Sequence, residues 1–180
     1  MNSVLFRLLY RGALLAESER CFDEFTLDAY TFRRLQSSDM AALYDLLHRQ
    51  RHGRLRFFNP HEFDLDSLNA VARNAAFLMF GVFEGDQLVG YFFLRCFWNR
   101  KCFVGRLIDE PSERKGIGRV MNNILYNTAW RSNFRCYTTV SKSNELVMRS
   151  HRRNPHAKVV QELANDYLLI EFVHGEQSET

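Results

Sequence analysis

Between positions 113 and 119 the chain reads Glu113-Arg114-Lys115-Gly116-Ile117-Gly118-Arg119, directly after an apolar run that ends at Ile108. Apolar residues then recur at Ile117, Val120, Met121, Ile124, Leu125 and Ala129, the spacing of a helix with one buried stripe. The two glycines therefore stand at the mouth of a helix. First-turn N–H groups there lack acceptors, the helix dipole is positive, and a missing Cβ lets an anion approach the backbone. Arg114, Lys115 and Arg119 add positive charge. The chemistry offered is the binding of a phosphate or pyrophosphate.

Spacing removes two of three phosphate-binding readings. A P-loop needs Gly-Lys followed by Ser or Thr, whereas Arg119 and Val120 follow Gly118. A dinucleotide fingerprint needs a third glycine where Met121 stands, and an acidic residue at the end of the next strand, which is missing. What remains is a Gly-x-Gly turn that takes a pyrophosphate on backbone amides and lays the rest of the ligand along the preceding strand. Acyl-coenzyme A is a ligand of that shape.

The elements that must hold this turn are legible from periodicity. A short strand is expected at 30–35, then a helix introduced by Ser37-Ser38-Asp39, a polar and aromatic loop at 49–64, and a second helix capped by Asp66. Strands follow at 77–83, 88–98 and 102–109, the second apolar on both faces and so central. After the cradle helix come a strand at 134–140, a helix from Ser143 to about position 152, and strands at 158–162 and 167–173. This order implies an α/β fold (an α+β mixed sheet): one domain at 29–174 with a mostly antiparallel sheet of about seven strands and helices on both faces. Residues 1–28 read as an extension carrying an amphipathic helix, and 175–180 as a polar tail.

The composition narrows the classes. A chain of 180 residues is long enough to bury roughly two-thirds of its unfolded surface without a metal or disulfide staple. The formal charge of +3 is too small for a dedicated nucleic-acid binder, though clustered cations favour an anionic small molecule. The four cysteines, Cys21, Cys96, Cys102 and Cys136, have no Cys-x-x-Cys spacing, and three lie in apolar runs; they read as reduced cytoplasmic core residues. Arg7 and Arg11 interrupt the leucines of 4–16, so neither a signal peptide nor a membrane span is expected.

With this element order and the Gly116-Ile117-Gly118 turn after the fourth strand, the chain resembles the GNAT superfamily of acyl-CoA-dependent N-acetyltransferases over 30–173. The signature of that family is Arg or Gln, two residues, Gly, one residue, then Gly or Ala. Gly116 and Gly118 match it, whereas Glu113 departs at the first position and Arg114 is expected to stand in. The resemblance implies an Asn on the helix after the fifth strand that touches the cofactor, here Asn144, and seven residues later a proton donor near the thioester sulfur, here His151 in place of the usual Tyr. The usual Gly-Phe after that helix is replaced by Asn154-Pro155-His156.

From the resemblance, acetyl-CoA is the expected acyl donor. It is expected on the fourth-strand backbone at Leu107, Ile108 and Asp109, on Arg114, Lys115, Gly116, Ile117, Gly118 and Arg119, and on Asn144. Catalytic roles fall to His151 as acid for the leaving thiolate, at an ordinary histidine pKa of about 6.5, and to His61 as base in the acceptor wall. Asp109 and Glu110 read as solvated turn residues. Arg149, Arg152 and Arg153 read as a solvated helix face or as partners of the cofactor's 3'-phosphate. The partner is expected to be a small-molecule amine, an amino sugar or sugar nucleotide being favoured over an amino acid, peptide amine or polyamine. No metal, nucleic acid or membrane span is expected, and a homodimer is left open. A noncatalytic acyl-CoA-binding module is the alternative reading.

Overall fold

The computed structural model describes residues 3–175; positions 1–2 and 176–180, which include nearly all of the expected polar tail, lie outside the described residues. Strands β1 (Thr31–Arg34), β2 (Phe77–Glu84), β3 (Gln87–Cys96), β4 (Lys101–Ile108), β5 (Arg135–Ser141), β6 (Ala157–Leu163) and β7 (Tyr167–Phe172) form one sheet in the order β1-β2-β3-β4-β5-β7-β6. Every neighbouring pair is antiparallel except β4 and β5. The mixed seven-stranded sheet expected from the sequence is thus present. β2 and β3 are buried on both faces and lie inside the sheet, as their unbroken apolar runs require.

Two cores sandwich this sheet. On one face lie helices α2 (Gly12–Glu24) and α5 (Ile117–Arg131), which pack on Phe80, Phe92, Leu94, Cys102 and Cys136. On the other, α3 (Met40–His48) and α4 (Leu65–Arg73) cover Phe77, Met79, Tyr91, Phe93 and Leu107. Period-two alternation along β4 puts Cys102, Val104 and Ile108 on the α5 face and Leu107 on the α3 face. Arg106 shares the parity of the first set. A charged residue therefore points toward the α5 side, where its neighbours are apolar.

Local chemistry sets the helix starts, with one correction. Asp64, not Asp66, caps α4: its carboxylate accepts the Ser67 N–H at 2.9 Å. Asp39 closes the turn before α3 by accepting the Gln36 N–H at 2.6 Å while Arg33 holds both its oxygens. Cys96, Cys102 and Cys136 stand side by side across β3, β4 and β5 as buried free thiols.

The N-terminal segments α1 (Ser3–Phe6), a π-helical turn (Arg7–Arg11) and α2 join in helical backbone conformation. Phe6, Leu14 and Cys21 are fully buried beneath them, and Phe6 packs edge-on against Trp98 and Phe134. This helix supplies core, so its removal exposes the α5 face of the sheet. Phe6→Ala is expected to cost about 3 kcal/mol; the check is a lower urea midpoint with an unchanged m-value.

Candidate functional site

β4 and β5 pair only over positions 101–103 and 135–137, after which they diverge. Each has a full antiparallel partner on its outer side, β3 and β7, so the gap between them is left unfilled. A cavity of about 560 Å³ occupies it. The amide of Asp109 donates to Val89 O at 2.8 Å, and antiparallel bonding alternates, so Leu107 and Asp109 both spend their amides on β3. Arg106 and Ile108 turn theirs toward the cleft. Of the three fourth-strand positions expected to meet the ligand through their amides, only Ile108 has one facing the opening, and Arg106 joins it.

Three ion pairs control the turn that follows β4. Arg49 binds Asp109 at 2.8 Å, Arg51 binds Glu110 at 2.9 Å, and Arg54 binds Glu113 at 2.8 Å. Gln50 also donates to Asp109 at 2.9 Å, and Asp109 is only 8% exposed. Asp109 is therefore a buried anchor rather than a solvated turn residue or a cofactor contact. Glu113, which stands at the departing signature position, directs its carboxylate to Arg54. Every acidic group of the turn is thereby neutralised from the loop after α3.

The cations of the same turn are left over. Arg114, Lys115 and Arg119 are exposed and enter none of the ion pairs among the described residues. Gly116 has φ +88°, a left-handed conformation that favours glycine, and ends the turn as the N-cap of α5. No acceptor among the described residues receives the N–H groups of Gly116, Ile117 or Gly118. Free helical amides and unpaired cations together make an anion cradle.

Arg106 joins the cradle to the cavity. It lines the cavity, its Nε donates to Asn122 Oδ1 at 2.9 Å, and a Cβ on Gly118 would lie 2.8 Å from its Nη1. A side chain at Gly118 would therefore displace the Arg106 guanidinium, a contact that the sequence pattern does not reveal. No carboxylate pairs with this guanidinium among the described residues, and burial pulls its pKa below the usual value.

Asn144 and His151 both reach the cavity from α6 (Glu145–Arg152). Asn144 is the N-cap of that helix, accepting from the Val147 amide at 3.3 Å. Burial, and then the charge of Arg106, lower the His151 pKa to about 4. At neutral pH about one ring in a thousand is protonated, so the expected proton-donating histidine is instead a neutral one. Tyr126 lies in the same wall with its hydroxyl accepting from Asn154 Nδ2 at 3.1 Å, and burial raises its pKa.

His61 is not brought to the cavity. Its ring packs against Phe63, Phe77 and Tyr91, with Nδ1 2.8 Å from Glu62 O and Nε2 2.8 Å from Tyr91 Oη. A carbonyl oxygen only accepts, so Nδ1 carries the proton and Nε2 receives the Tyr91 hydroxyl. Tyr91 is fully buried, and His61 satisfies its hydroxyl. The wall of the cavity on this side is built by its neighbours Phe57, Phe58, Asn59 and Pro60, with Arg54 and Arg95. Sequence reasoning missed Arg54, Arg95 and Arg106. Arg106 had one legible signal, a charge at an otherwise apolar parity of β4.

An α/β sheet opened between two parallel strands, with a cationic helix end at the opening, is a receptacle for an extended anionic ligand. No family model matches the chain, and no curated protein matches it. Among solved structures it is similar to the PaiA N-acetyltransferase from Thermoplasma acidophilum in complex with coenzyme A, at 14% identity and TM-score 0.67, covering 81% of this chain and 99% of that one. It is also similar to YncA from Salmonella typhimurium with its cofactor acetyl-CoA, at 20% identity and TM-score 0.61, covering 81% and 92%. A third is the ribosomal-protein-S18-alanine N-acetyltransferase from Escherichia coli, at 12% identity and TM-score 0.62, covering 82% and 97%. The fold of this chain is the GNAT fold.

The geometry sets a titration. Carbon-detected NMR of the histidine rings is expected to keep His151 neutral down to about pH 5 with a midpoint near 4, and Arg106→Met is expected to move that midpoint upward. Because the folded pKa lies below the unfolded value of about 6.5, the unfolded chain takes up the proton first. Stability is then lost as pH falls from about 6.5 toward 4. A His151 midpoint near 6.5 would show a solvated ring and refute the assignment.

Proposed function

We propose that the protein is an acetyl-CoA-dependent N-acetyltransferase acting on the amine of a small metabolite. One observation carries the reading: the cradle of free α5 amides and unpaired cations meets, through Arg106, a cavity opened between β4 and β5. In this reading the pyrophosphate of the donor lies at Gly116, Ile117 and Gly118, with Arg114, Lys115 and Arg119 around it. The pantetheine arm runs along the β4 edge beside Asn144.

The reaction breaks the thioester C–S bond and forms an amide C–N bond. A neutral amine attacks the carbonyl, and the oxyanion is received by the cleft-facing amides of β4, a contribution of about 3 kcal/mol per well-placed donor. The departing sulfur carries negative charge, which the Arg106 guanidinium offsets. His151, neutral at pH 7, offers an N–H hydrogen bond to that sulfur rather than a full proton transfer. The attacking nitrogen loses one proton to water as the amide forms, and the thiolate takes a proton from water after release.

Among the described residues no Asp or Glu lines the cavity, so none of them offers a carboxylate base there. Nearby guanidinium groups disfavour a charged ammonium and lower the amine's pKa from its usual value of about 10. Deprotonation is thereby assisted by the field of the site. The rising limb of kcat/KM against pH is expected to follow the acceptor amine and to shift with its basicity, whereas a fixed midpoint across acceptors of different basicity would reveal a protein base.

Acetyl-CoA is expected to raise the melting temperature, and a Lys115→Glu/Arg119→Glu double variant is expected to weaken binding at least about tenfold. Both side chains are exposed, so the unliganded melting temperature is expected to stay unchanged. No shift with millimolar acetyl-CoA would remove the cofactor assignment. Thiol release with amino sugars, sugar nucleotides, amino acids and polyamines tests the transfer itself; binding with no release from any acceptor would favour the noncatalytic module.

A further inference from the structure

The two sides of the cleft have different chemistry. The α5 side carries Arg106, Asn144 and His151, the groups that belong to the donor. On the α3 side the cavity is walled by Phe57, Phe58, Phe93 and Phe103, with Arg54 and Arg95 among them. Gly105 lies between these rings: a Cβ there would come within 2.6 Å of Phe93 and 3.5 Å of Phe58. The Phe93 ring thus packs directly over the Gly105 backbone, and the aromatic side chains form a continuous wall along this side of the cavity.

Charge in this cavity is of one sign. Among the described residues Arg54, Arg95 and Arg106 line the cavity and no Asp or Glu does; Arg54 is paired with Glu113, whereas Arg95 and Arg106 are in no ion pair. Arg95 enters no ion pair among the described residues; its guanidinium lies 5.5 Å from the Phe97 ring centroid. Arg54 is fixed at Nη2 by Ile108 O and Glu113, each at 2.8 Å, while its Nε is buried with no hydrogen-bond partner. A buried donor without an acceptor is costly, so Arg54 is not fully satisfied by the contacts that fix it.

We infer that the amine acceptor carries its own anionic group, a carboxylate or a phosphate, held by Arg95 and Arg54 against the aromatic wall while the amine faces the β4 edge. The inference rests on the acetyltransferase reading. It follows from a conflict inside that reading. The two unpaired guanidinium groups, Arg95 and Arg106, repel an acceptor that arrives as a simple ammonium ion, and more strongly a polyamine. An attached anion reverses the attraction and leaves the amine in the positive field that favours its neutral, nucleophilic form. Planar guanidinium forks suit both carboxylate and phosphate oxygens.

The test uses matched acceptors with the full-length protein and acetyl-CoA: phenylalanine against phenylalaninamide, glucosamine 6-phosphate against glucosamine, and spermidine as a cation. Thiol release gives kcat/KM, and calorimetry on the coenzyme A complex gives binding. In at least one pair the anionic member is expected to be favoured by about tenfold or more in both readouts, the pair showing whether carboxylate or phosphate is used. Arg95→Met is expected to reduce that ratio to about threefold or less while acetyl-CoA still raises the melting temperature. Equal or better use of the neutral members or of spermidine, no discrimination within either pair, or an unchanged ratio in Arg95→Met would overturn the inference. Loss of the acetyl-CoA shift in the parent protein would instead sink the acetyltransferase reading beneath it.

Discussion

The site depends on the way the loop after α3 neutralises the turn after β4. Arg49, Arg51 and Arg54 take Asp109, Glu110 and Glu113, one pair after another along two facing segments. The most buried of these carboxylates, Asp109, is also bound by Gln50, and the loss of one partner from such a pair costs more than the pair contributes when intact. Geometry follows from the same contacts. Arg54 also bonds Ile108 O, so the loop is fixed to the last residue of β4 and the aromatic wall at positions 57–60 follows from there. One set of charges therefore strips the cradle of negative groups and hangs the wall at positions 57–60 beside the cleft.

That arrangement explains the departure at Glu113. Read along the chain, a carboxylate close to a pyrophosphate site is unfavourable. In space its charge is consumed by a residue 59 positions away, and the cations that surround it in sequence remain unpaired. The cradle works by subtraction: acidic side chains are drawn to the α3 side, basic ones and free amides stay at the α5 mouth. His151 illustrates the same principle. Its place on α6 was visible as a spacing from Asn144, but its charge state is set by burial in the folded cavity and then by Arg106, which is 45 positions away in the chain.

Element type and order were legible because they rest on local patterns. The three-and-four spacing from Ile117 to Ala129 defines α5, and the unbroken apolar runs of β2 and β3 define the centre of the sheet. The cradle was legible for the same reason, since glycines and basic residues at a helix start are a local signal. What stayed hidden depends on contacts distant in sequence. His61 looked like a base because it sits in a polar aromatic loop, yet its ring is spent on Tyr91, thirty positions away. The Asp64 cap differs from the expected Asp66 by one Asx choice that only backbone geometry decides. Arg54 and Arg95 carry no local signal of a shared site, and only the fold brings them to one cavity.

The sheet is two half-sheets, β1 to β4 and β5 to β7, joined by a three-residue parallel contact and bridged by α5. Past that contact neither inner edge has a strand partner, and a ligand with amide groups along its length would act there as a missing strand. Such a ligand would add contacts between the two halves beyond the core they share beneath α5. The opening that makes room for a substrate also makes the ligand a structural member of the fold.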